Sequence, residues 1–264
     1  MSTSAAICHK VSVLTRDLAC VQMPARGERT PASLLRGWEQ AYQLWHECRT
    51  EALRSQGMHH DAAVLTSEGF VEQDELLCLV SDDMVRGLLT VRWFDLSLAA
   101  NRAHRYFRRY PPELIEQLLA IGVHDLMTVG HLTVDPAWRK PRVGVGIAEL
   151  LVSMSMLRLI ESGAQLGLAM TRNNRKINEM TYRHGAVPLR RNHRAYGGHV
   201  DVVAWYPDRV CLSPQPGIAD GARALWSRRM VGLAPGGPAE PQRRSTQTDA
   251  GIDYPCFSLC GSRW

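Results

Sequence analysis

Lysine is scarce in this sequence, and arginine carries almost all of the positive charge. Lysine occurs only at positions 10, 140 and 176, although lysine and arginine together number 31 against 26 acidic residues. The formal net charge is therefore +5, a mild excess. A biased genomic base composition also produces heavy arginine use. Arginine nevertheless suits carboxylate and phosphate binding, because a guanidinium group binds both bidentately.

Paired cysteine motifs are also missing. The sequence has seven cysteines but no C-x-x-C pair. An odd number without such pairs favours free thiols in a reducing cytoplasm over a disulfide framework. Cys256 and Cys260 are close enough in sequence to pair or to bind a metal, yet no histidine or cysteine cluster beside them completes a zinc site. We therefore expect no metal.

Long apolar runs are absent as well. No run approaches 18 apolar residues, and the first residues lack the apolar core of a signal peptide. We expect no membrane span and a cytoplasmic location. Hydrophobic residues still make up 45% of the 264 positions, which is enough for a globular core.

Composition divides the chain into three parts. Residues 1–30 are weakly patterned and predict an N-terminal extension, whereas residues 31–210 show regular helix and strand patterns and predict one domain. Residues 211–264 are rich in Pro, Gly, Ser and Arg. They predict a flexible C-terminal tail that adds little to the core and contains at most one short helix.

The middle part predicts helices that alternate with strands, which indicates an α/β fold. Proline near a helix start and glycine at a helix end mark several boundaries. The predicted helices cover 31–57, 111–122, 146–163 and 172–185. The predicted strands cover 76–80, 85–93, 125–136, 165–171 and 199–207.

The stretch HLTVDPAWRKPRVGVGIAELL, residues 131–151, places a basic, glycine-containing loop between a strand and a helix. Gly144 and Gly146 let the main chain approach an anion closely, and the helix N-terminus adds partial positive charge. Arg139, Lys140 and Arg142 are suited to pair with phosphate oxygens. The stretch predicts a phosphate or pyrophosphate site; the alternatives are an ordinary turn and a solvated charge run.

This order of strand, loop, helix, strand and helix resembles the GNAT superfamily of N-acetyltransferases. The residues that carry the resemblance are Leu132, Val134, Pro136, Arg142, Gly144, Gly146, Asn174, Tyr182, Gly185 and Ala186. The front half, with AYQLWHECRTEALRSQG and YFRRYPPELIEQLL, resembles bacterial long-chain N-acyl amino acid synthases. It is more distantly similar to acyl-homoserine-lactone synthases.

The resemblance implies a GNAT-like twisted, mixed β-sheet flanked by helices. It also implies transfer of an acyl group, long-chain in these relatives, from an acyl-carrier-protein or CoA thioester to an amine such as an amino acid. The thioester is a cosubstrate, and no resident cofactor is implied. The residues expected to bind it are Leu132, Thr133, Val134, Arg139, Arg142, Val143, Gly144, Val145, Gly146 and Asn174.

His131 and Tyr182 are the candidate catalytic residues. His131 is a candidate base for the attacking amine, and Tyr182 a candidate proton donor to the departing thiolate. For each residue the alternative is a core side chain. Strict strand alternation would put His131 and Thr133 on one face and Thr128 on the other.

The segment NRAHRYFRRYPP interleaves Arg102, Arg105, Arg108 and Arg109 with aromatic residues. It predicts a docking surface for an acidic acyl carrier protein, with a solvated loop as the alternative. Since no nucleic-acid-binding motif accompanies it, we expect no nucleic-acid partner.

Two other functions stay open at this stage. One is an acetyl-CoA-dependent acetyltransferase, and the other is a non-catalytic GNAT-like binding module. A stripe of Trp38, Tyr42, Trp45 and Met58 could line a channel for an acyl chain or be plain core.

Overall fold

The computed structural model describes residues 11–63, 65, 67–139 and 146–232. In these ranges eight strands form one mixed sheet in the order β6-β7-β5-β4-β3-β2-β1-β8. Only the β4–β5 and β1–β8 pairs are parallel. The strands are β1 (Ala19–Pro24), β2 (Glu75–Ser81), β3 (Met84–Asp95), β4 (Asp125–Val134), β5 (Leu166–Arg172), β6 (Val187–Ala195), β7 (Gly198–Trp205) and β8 (Met230–Val231).

Helices cover both faces of this sheet. The α-helices are α1 (Leu35–Arg54), α2 (His59–Ala63), α3 (Glu68–Val71), α4 (Ala99–Arg102), α5 (Leu114–Ala120), α6 (Ile147–Ser162), α7 (Ile177–Arg183) and α8 (Ile218–Ser227). Residues 11–16 are also helical. Short 3₁₀ turns occupy Gly27–Arg29, Ala32–Leu34, Arg105–Arg109, Pro136–Trp138, Asn173–Arg175 and Pro207–Arg209.

The predicted α/β pattern of the middle part is confirmed. Helices lie in all four predicted segments, and strands lie in all five. All four predicted helix ends, Gly57, Gly122, Gly163 and Gly185, have positive φ angles, the left-handed conformation that glycine adopts most easily. Local sequence therefore determines where these helices stop.

The two faces of the sheet have separate cores. On the face called here the α6 face, α6 packs between the sheet and α8, so α6 is buried on nearly all sides, Met154 and Met156 included. On the opposite α1 face, α1, α3, α5 and the turn 105–109 cover the sheet. Alternating residues of β3 serve the two sides: Leu89 faces α6, whereas Leu88 and Phe94 face the other helices.

The N-terminal boundary drawn from composition is wrong in part. Residues 19–24 form β1, a largely buried strand that lies inside the sheet between β2 and β8. A six-residue strand is too short to show a clear period among turn-forming neighbours, which is why composition classed it as an extension.

The expectation that residues after Cys211 add little to the core is also wrong for residues 218–232. Helix α8 buries Ile218, Ala222, Leu225 and Trp226 in the core of the α6 face, and β8 pairs with β1. Proline and glycine in the flanking loops outweighed this one short helix in the average composition of residues 211–264. The rest of the predicted tail, 233–264, lies outside the described residues.

Strand β6 escaped the sequence analysis altogether. It is an edge strand, mostly polar, and its pairing with β7 shifts register twice. Such shifts destroy the simple alternation of apolar and polar residues that identifies a strand.

The aromatic rings of the stripe on α1 pack against one another, an arrangement that favours the core alternative. Trp38, Tyr42 and Trp45 pack on one another and on Phe70 of α3, with ring centroids 5.2–6.0 Å apart. These rings pack between α1 and the sheet as part of the core on the α1 face.

Candidate active site

The sheet opens where β4 and β5 part. These parallel strands pair only from Leu126 to Thr128 on β4, opposite Leu166 to Leu168 on β5. Beyond that point β5 continues to Arg172 with β7 as its partner, and β4 continues to Val134 with β3. The facing edges of β4 and β5 therefore have backbone groups that no strand pairing uses, as a ligand site requires.

A β-bulge lies on β4 at this opening. Leu88 pairs with Thr133 and Thr90 with Gly130, so Leu89 faces two residues, His131 and Leu132. His131 has a φ of 52°, a left-handed conformation that costs a non-glycine residue about 1–3 kcal/mol. Bulges are frequent next to active sites because they redirect side chains and main-chain groups.

The bulge overturns the strict alternation expected for β4. Leu126 faces the α1 side and Met127 the α6 side, so Thr128 faces the α1 side. After the extra residue, Leu132 packs on the α6 side, and His131 lies beside Trp45 of α1. His131 and Thr128 therefore share a face, contrary to the prediction, because one inserted residue reverses the parity of all that follow.

His131 is held neutral by its surroundings. Its ring centroid lies 5.4 Å from that of Trp45, and its buried Nδ1 has no hydrogen-bond partner among the described residues. Burial, with a smaller effect of the Arg49 charge, lowers the pKa of His131 from 6.5 to about 4. It is a weak base at neutral pH, and its catalytic role stays a prediction.

Three arginines converge beside His131. Arg49 of α1 and Arg109 of the 105–109 turn both lie over the ring of Tyr196, at 5.5 and 4.6 Å from its centroid. Arg172 ends β5 at the same opening, and burial followed by repulsion from Arg49 lowers its pKa to about 10. None of these arginines forms an ion pair with a described acidic residue.

Tyr182 belongs to a different cluster, centred on Asp201 of β7. Its hydroxyl donates to Asp201 Oδ2 at 2.5 Å, and Asn173 and Asn178 donate to the same carboxylate at 3.0 Å. Burial and the bond to Asp201 raise the pKa of Tyr182 to about 12. The phenol therefore keeps its proton, but that proton is shared with a carboxylate.

The predicted donor-binding residues fall into two groups. Arg142, Val143, Gly144 and Val145 lie outside the described residues, and Lys140 does also. On β4, Leu132 and Val134 contact the core, while Thr133 Oγ1 donates to the His131 carbonyl at 2.8 Å. Arg139 and Asn174 are exposed, and Gly146 immediately precedes α6. Their contact with a donor stays a prediction.

A carboxylate already lies near the start of α6. Glu149, in its first turn, is buried and accepts hydrogen bonds from Arg183 at 2.7 Å and Ser213 at 3.2 Å. An anion bound at this end of α6 would share the partial positive charge of the helix with Glu149.

The predicted docking arginines are mostly engaged within the protein. Arg102 donates to the Leu96 and Ser97 carbonyls, and Arg105 pairs with Glu68 and Glu72. Arg109 lies over Tyr196, as described above. Arg108 is exposed and has no polar contact with a described residue, so the docking prediction depends on that side chain.

The sequence analysis missed Arg49, Arg172 and Tyr196 as site residues. A weak signal existed for Tyr196, because the following Gly-Gly pair is typical of a hairpin turn. Arg49 and Arg172 are 123 positions apart in sequence, and only the packing of α1 on the sheet brings them together. Among the described residues, no cluster of three or more His, Cys, Asp or Glu is arranged to hold a metal. No helix of the described ranges is long and apolar enough to cross a membrane.

Comparison with solved structures supports this fold. An N-acyl amino acid synthase from uncultured soil microbes superposes with a TM-score of 0.50 at 12% identity, covering 72% of this chain and 92% of that one. A CoA-dependent acyl-homoserine lactone synthase gives 0.49 at 12% identity, covering 81% and 93%. No family model matches the sequence, and no curated protein matches it. The mixed sheet, parted between β4 and β5, and its flanking helices therefore have a GNAT-like fold.

Proposed function

We propose that this protein transfers an acyl group from a thioester to an amine. The observation that carries the proposal is the bulged β4 edge at its separation from β5, within a GNAT-like sheet. An acyl thioester placed in this opening would lie against free main-chain groups of residues 129–134. The N-acyl amino acid synthase of the same fold supports this reaction class.

In this proposal the chemistry is direct attack. The amine nitrogen approaches the thioester carbon from the α1 face, and a main-chain N–H of the β4 bulge stabilises the oxyanion that forms. The C–S bond then breaks, the thiolate leaves, and an amide remains. No covalent intermediate on the protein is required.

The amine reaches the carbonyl in its neutral form. Because the pKa of His131 is near 4, the imidazole cannot hold a proton from an alkylammonium ion at neutral pH. Its suitable role is to accept a hydrogen bond from the amine while water or buffer removes the proton. The step therefore speeds up as pH rises toward the pKa of the amine.

Tyr182 is proposed as the proton donor to the leaving thiolate. The raised pKa of Tyr182 keeps the phenol protonated. To protonate the sulfur, the hydroxyl must give up the hydrogen bond that it donates to Asp201. Tyr182→Phe should lower kcat about 10- to 1000-fold with little change in acceptor KM. An equal loss of stability and activity would place Tyr182 in the fold rather than in the reaction.

The proposal also concerns the acyl-chain length of the thioester donor. We infer a long-chain donor from the resemblance of the front half, while acetyl-CoA is the rival. In this proposal such a chain runs along the β4–β5 opening. Each buried methylene would contribute about 0.8 kcal/mol, so chain length should strongly affect KM if the chain is bound.

The test is turnover of purified full-length protein with acetyl-, octanoyl- and dodecanoyl-thioesters on CoA and on acyl carrier protein. Amino acids and simple amines are offered as acceptors, and amides are detected by mass spectrometry. A best rate with acetyl-CoA would favour the ordinary acetyltransferase. No amide with any pair would contradict the proposal and favour the non-catalytic binding module.

Carrier identity is tested with Arg108→Ala, because Arg108 has no partner among the described residues. If carrier docking uses this segment, KM should rise for carrier-protein thioesters and stay constant for CoA thioesters. Arg223→Ala, an exposed change on α8 with the same loss of charge, is the control. Equal effects on both donors would argue against docking at Arg108.

A further inference from the structure

Among the described residues, no acidic side chain forms an ion pair with the cluster of Arg49, Arg109 and Arg172 around Tyr196. The carboxylate whose charge acts on Arg49 is Asp61. Its side chain is exposed and forms no ion pair with Arg49. Arg172 Nη2 is buried without a hydrogen-bond partner among the described residues. Native proteins rarely leave a buried guanidinium nitrogen unpaired, so this one indicates a missing acceptor.

Repulsion between the arginines also indicates that the cluster is suited to bind an anion. Arg49 lowers the pKa of Arg172, and Arg109 lowers that of Arg49, in each case after the larger effect of burial. The fold therefore holds like charges together at a cost, which a bound anion would relieve. Cation–π contacts with Tyr196 orient two of the three guanidinium groups but leave their charge uncompensated.

The cluster lies beside the β4 bulge, where we propose that the reaction occurs. Leu168, Met170 and Arg172 alternate along β5, and the first two pack on the α1 face, so Arg172 faces the same side. Arg49 is one helical turn from Trp45, which contacts His131. Helix α6, which follows the predicted phosphate loop in sequence, packs on the opposite face of the sheet.

Three separate elements enclose the space beside the arginines. The β6–β7 hairpin brings Tyr196 over α1, and its tip at Gly197 packs against Met58, after the end of α1. The 105–109 turn is tied to the same hairpin, because His193 Nε2 bonds the Arg109 carbonyl at 2.7 Å. A site bounded in this way suits a small anion rather than a long polymer.

We propose that Arg49 and Arg172, with Arg109 and the Tyr196 hydroxyl at the rim, bind the carboxylate of the acceptor, which is therefore an amino acid. This inference rests on the proposed acyl transfer. A guanidinium pair binds the two oxygens of a carboxylate directionally. With its carboxylate held on the α1 face, the amine of an amino acid is a few bonds away and points toward the β4 bulge.

The experiment compares acceptors that differ only in the carboxylate: L-leucine with 3-methylbutylamine, and L-phenylalanine with 2-phenylethylamine. The wild type should prefer both amino acids. Arg172→Gln and Arg49→Gln should each raise KM for the amino acids about 10- to 100-fold and leave the amines unaffected. Arg172→Lys should recover part of this loss. Arg223→Gln, exposed on α8, is the control with equal charge change.

Direct binding separates this inference from the proposed reaction. Titration calorimetry measures binding of the standard amino acids, the two amines and inorganic phosphate to the wild type and to Arg172→Gln. Arg172-dependent amino-acid binding without any turnover would support the carboxylate site and contradict the acyl transfer. Equal binding of amino acid and amine, no amino-acid binding, or a raised KM for the donor thioester instead of the acceptor would overturn the site.

Discussion

At the scale of single residues, His131 connects backbone strain, burial and charge. It adopts a left-handed conformation at the β4 bulge, with its ring next to Trp45 and within the field of Arg49. The bulge redirects this side chain to the α1 face, where the arginine cluster lies. A cationic imidazole there would add a further positive charge to an already repulsive group.

The stability of the protein should therefore depend on pH through His131. Its pKa is near 4 in the folded state and near 6.5 in the unfolded chain, so between these values only the unfolded chain binds the proton. The contribution of this group is complete above pH 6.5 and is lost as pH falls toward 4, by roughly 3 kcal/mol in all.

The measurement is urea unfolding of wild type and His131→Asn at several pH values between 7.5 and 4. Asparagine tolerates the left-handed conformation and does not titrate in this range. The unfolding free energy of the wild type minus that of the variant should decrease as pH falls. A difference that is constant with pH would show that His131 is not held neutral by burial.

At the scale of elements, the β6–β7 hairpin contacts the arginine cluster through the ring of Tyr196. Tyr196 and Gly197 both have positive φ angles, and a Cβ on Gly197 would lie 2.5 Å from Met58 Sδ. The hairpin tip is therefore fitted against the residue that follows α1. Its position decides where Tyr196 and the guanidinium groups meet.

Gly197→Ala should destabilise the protein by about 1–2 kcal/mol, because alanine is strained in the left-handed conformation. It should also weaken acceptor binding by shifting Tyr196. Gly198→Ala is the matched control, since the space around Gly198 is open and its φ is ordinary. Thermal midpoints and acceptor KM values check both variants, and an equal response of the two glycines would exclude a special role for the tip.

Helix α8 provides a second test at this scale. Leu225→Ala should cost about 2–5 kcal/mol, because the side chain is fully buried in the core of the α6 face. Arg223→Ala on the exposed side of the same helix should change stability by less than about 0.5 kcal/mol. We also expect deletion of residues 234–264 to leave the thermal midpoint nearly unchanged. A large drop after that deletion would place part of the predicted tail in the fold.

At the scale of the whole molecule, a buried ion pair ties the front half to the back half. Arg158 of α6 donates to both Glu75 oxygens at 2.7 and 2.9 Å, and Gln22 of β1 and Trp93 of β3 donate to the same carboxylate. Glu75 and Arg158 are 83 positions apart in sequence. One carboxylate thus joins three neighbouring strands to the helix that packs on them.

Glu75→Gln should destabilise the protein by about 3–5 kcal/mol, because it removes the buried carboxylate charge that pairs with Arg158. The double variant Glu75→Gln with Arg158→Met should recover much of this loss, since no buried charge then remains. Asp220→Asn, in the exposed pair with Arg223, is the control and should cost less than about 1 kcal/mol. Additive costs in the double variant would mean that the two side chains act separately.

What the sequence by itself determined is the order of elements and their limits. Apolar periodicity, proline near helix starts and glycine at helix ends are local properties, and they predicted the α/β alternation, the β2–β3 hairpin and the helices α1, α5, α6 and α7. Together with the loop motif they also led to the GNAT-like fold. Where the local pattern was weak or irregular, the sequence analysis missed β1 and β6, and it allowed a short helix at α8 without predicting its burial in the core.

The tertiary structure alone decided the chemistry of the site. The extra residue in β4 is defined only by its pairing with β3, and it turns His131 to the α1 face against the expected alternation. In the sequence, Arg49 and Arg172 look like ordinary surface arginines, and Arg109 belongs to the predicted docking segment. They become a candidate carboxylate site because α1, the 105–109 turn and β5 pack together there. Such proximity depends on contacts between distant segments, which no local pattern records.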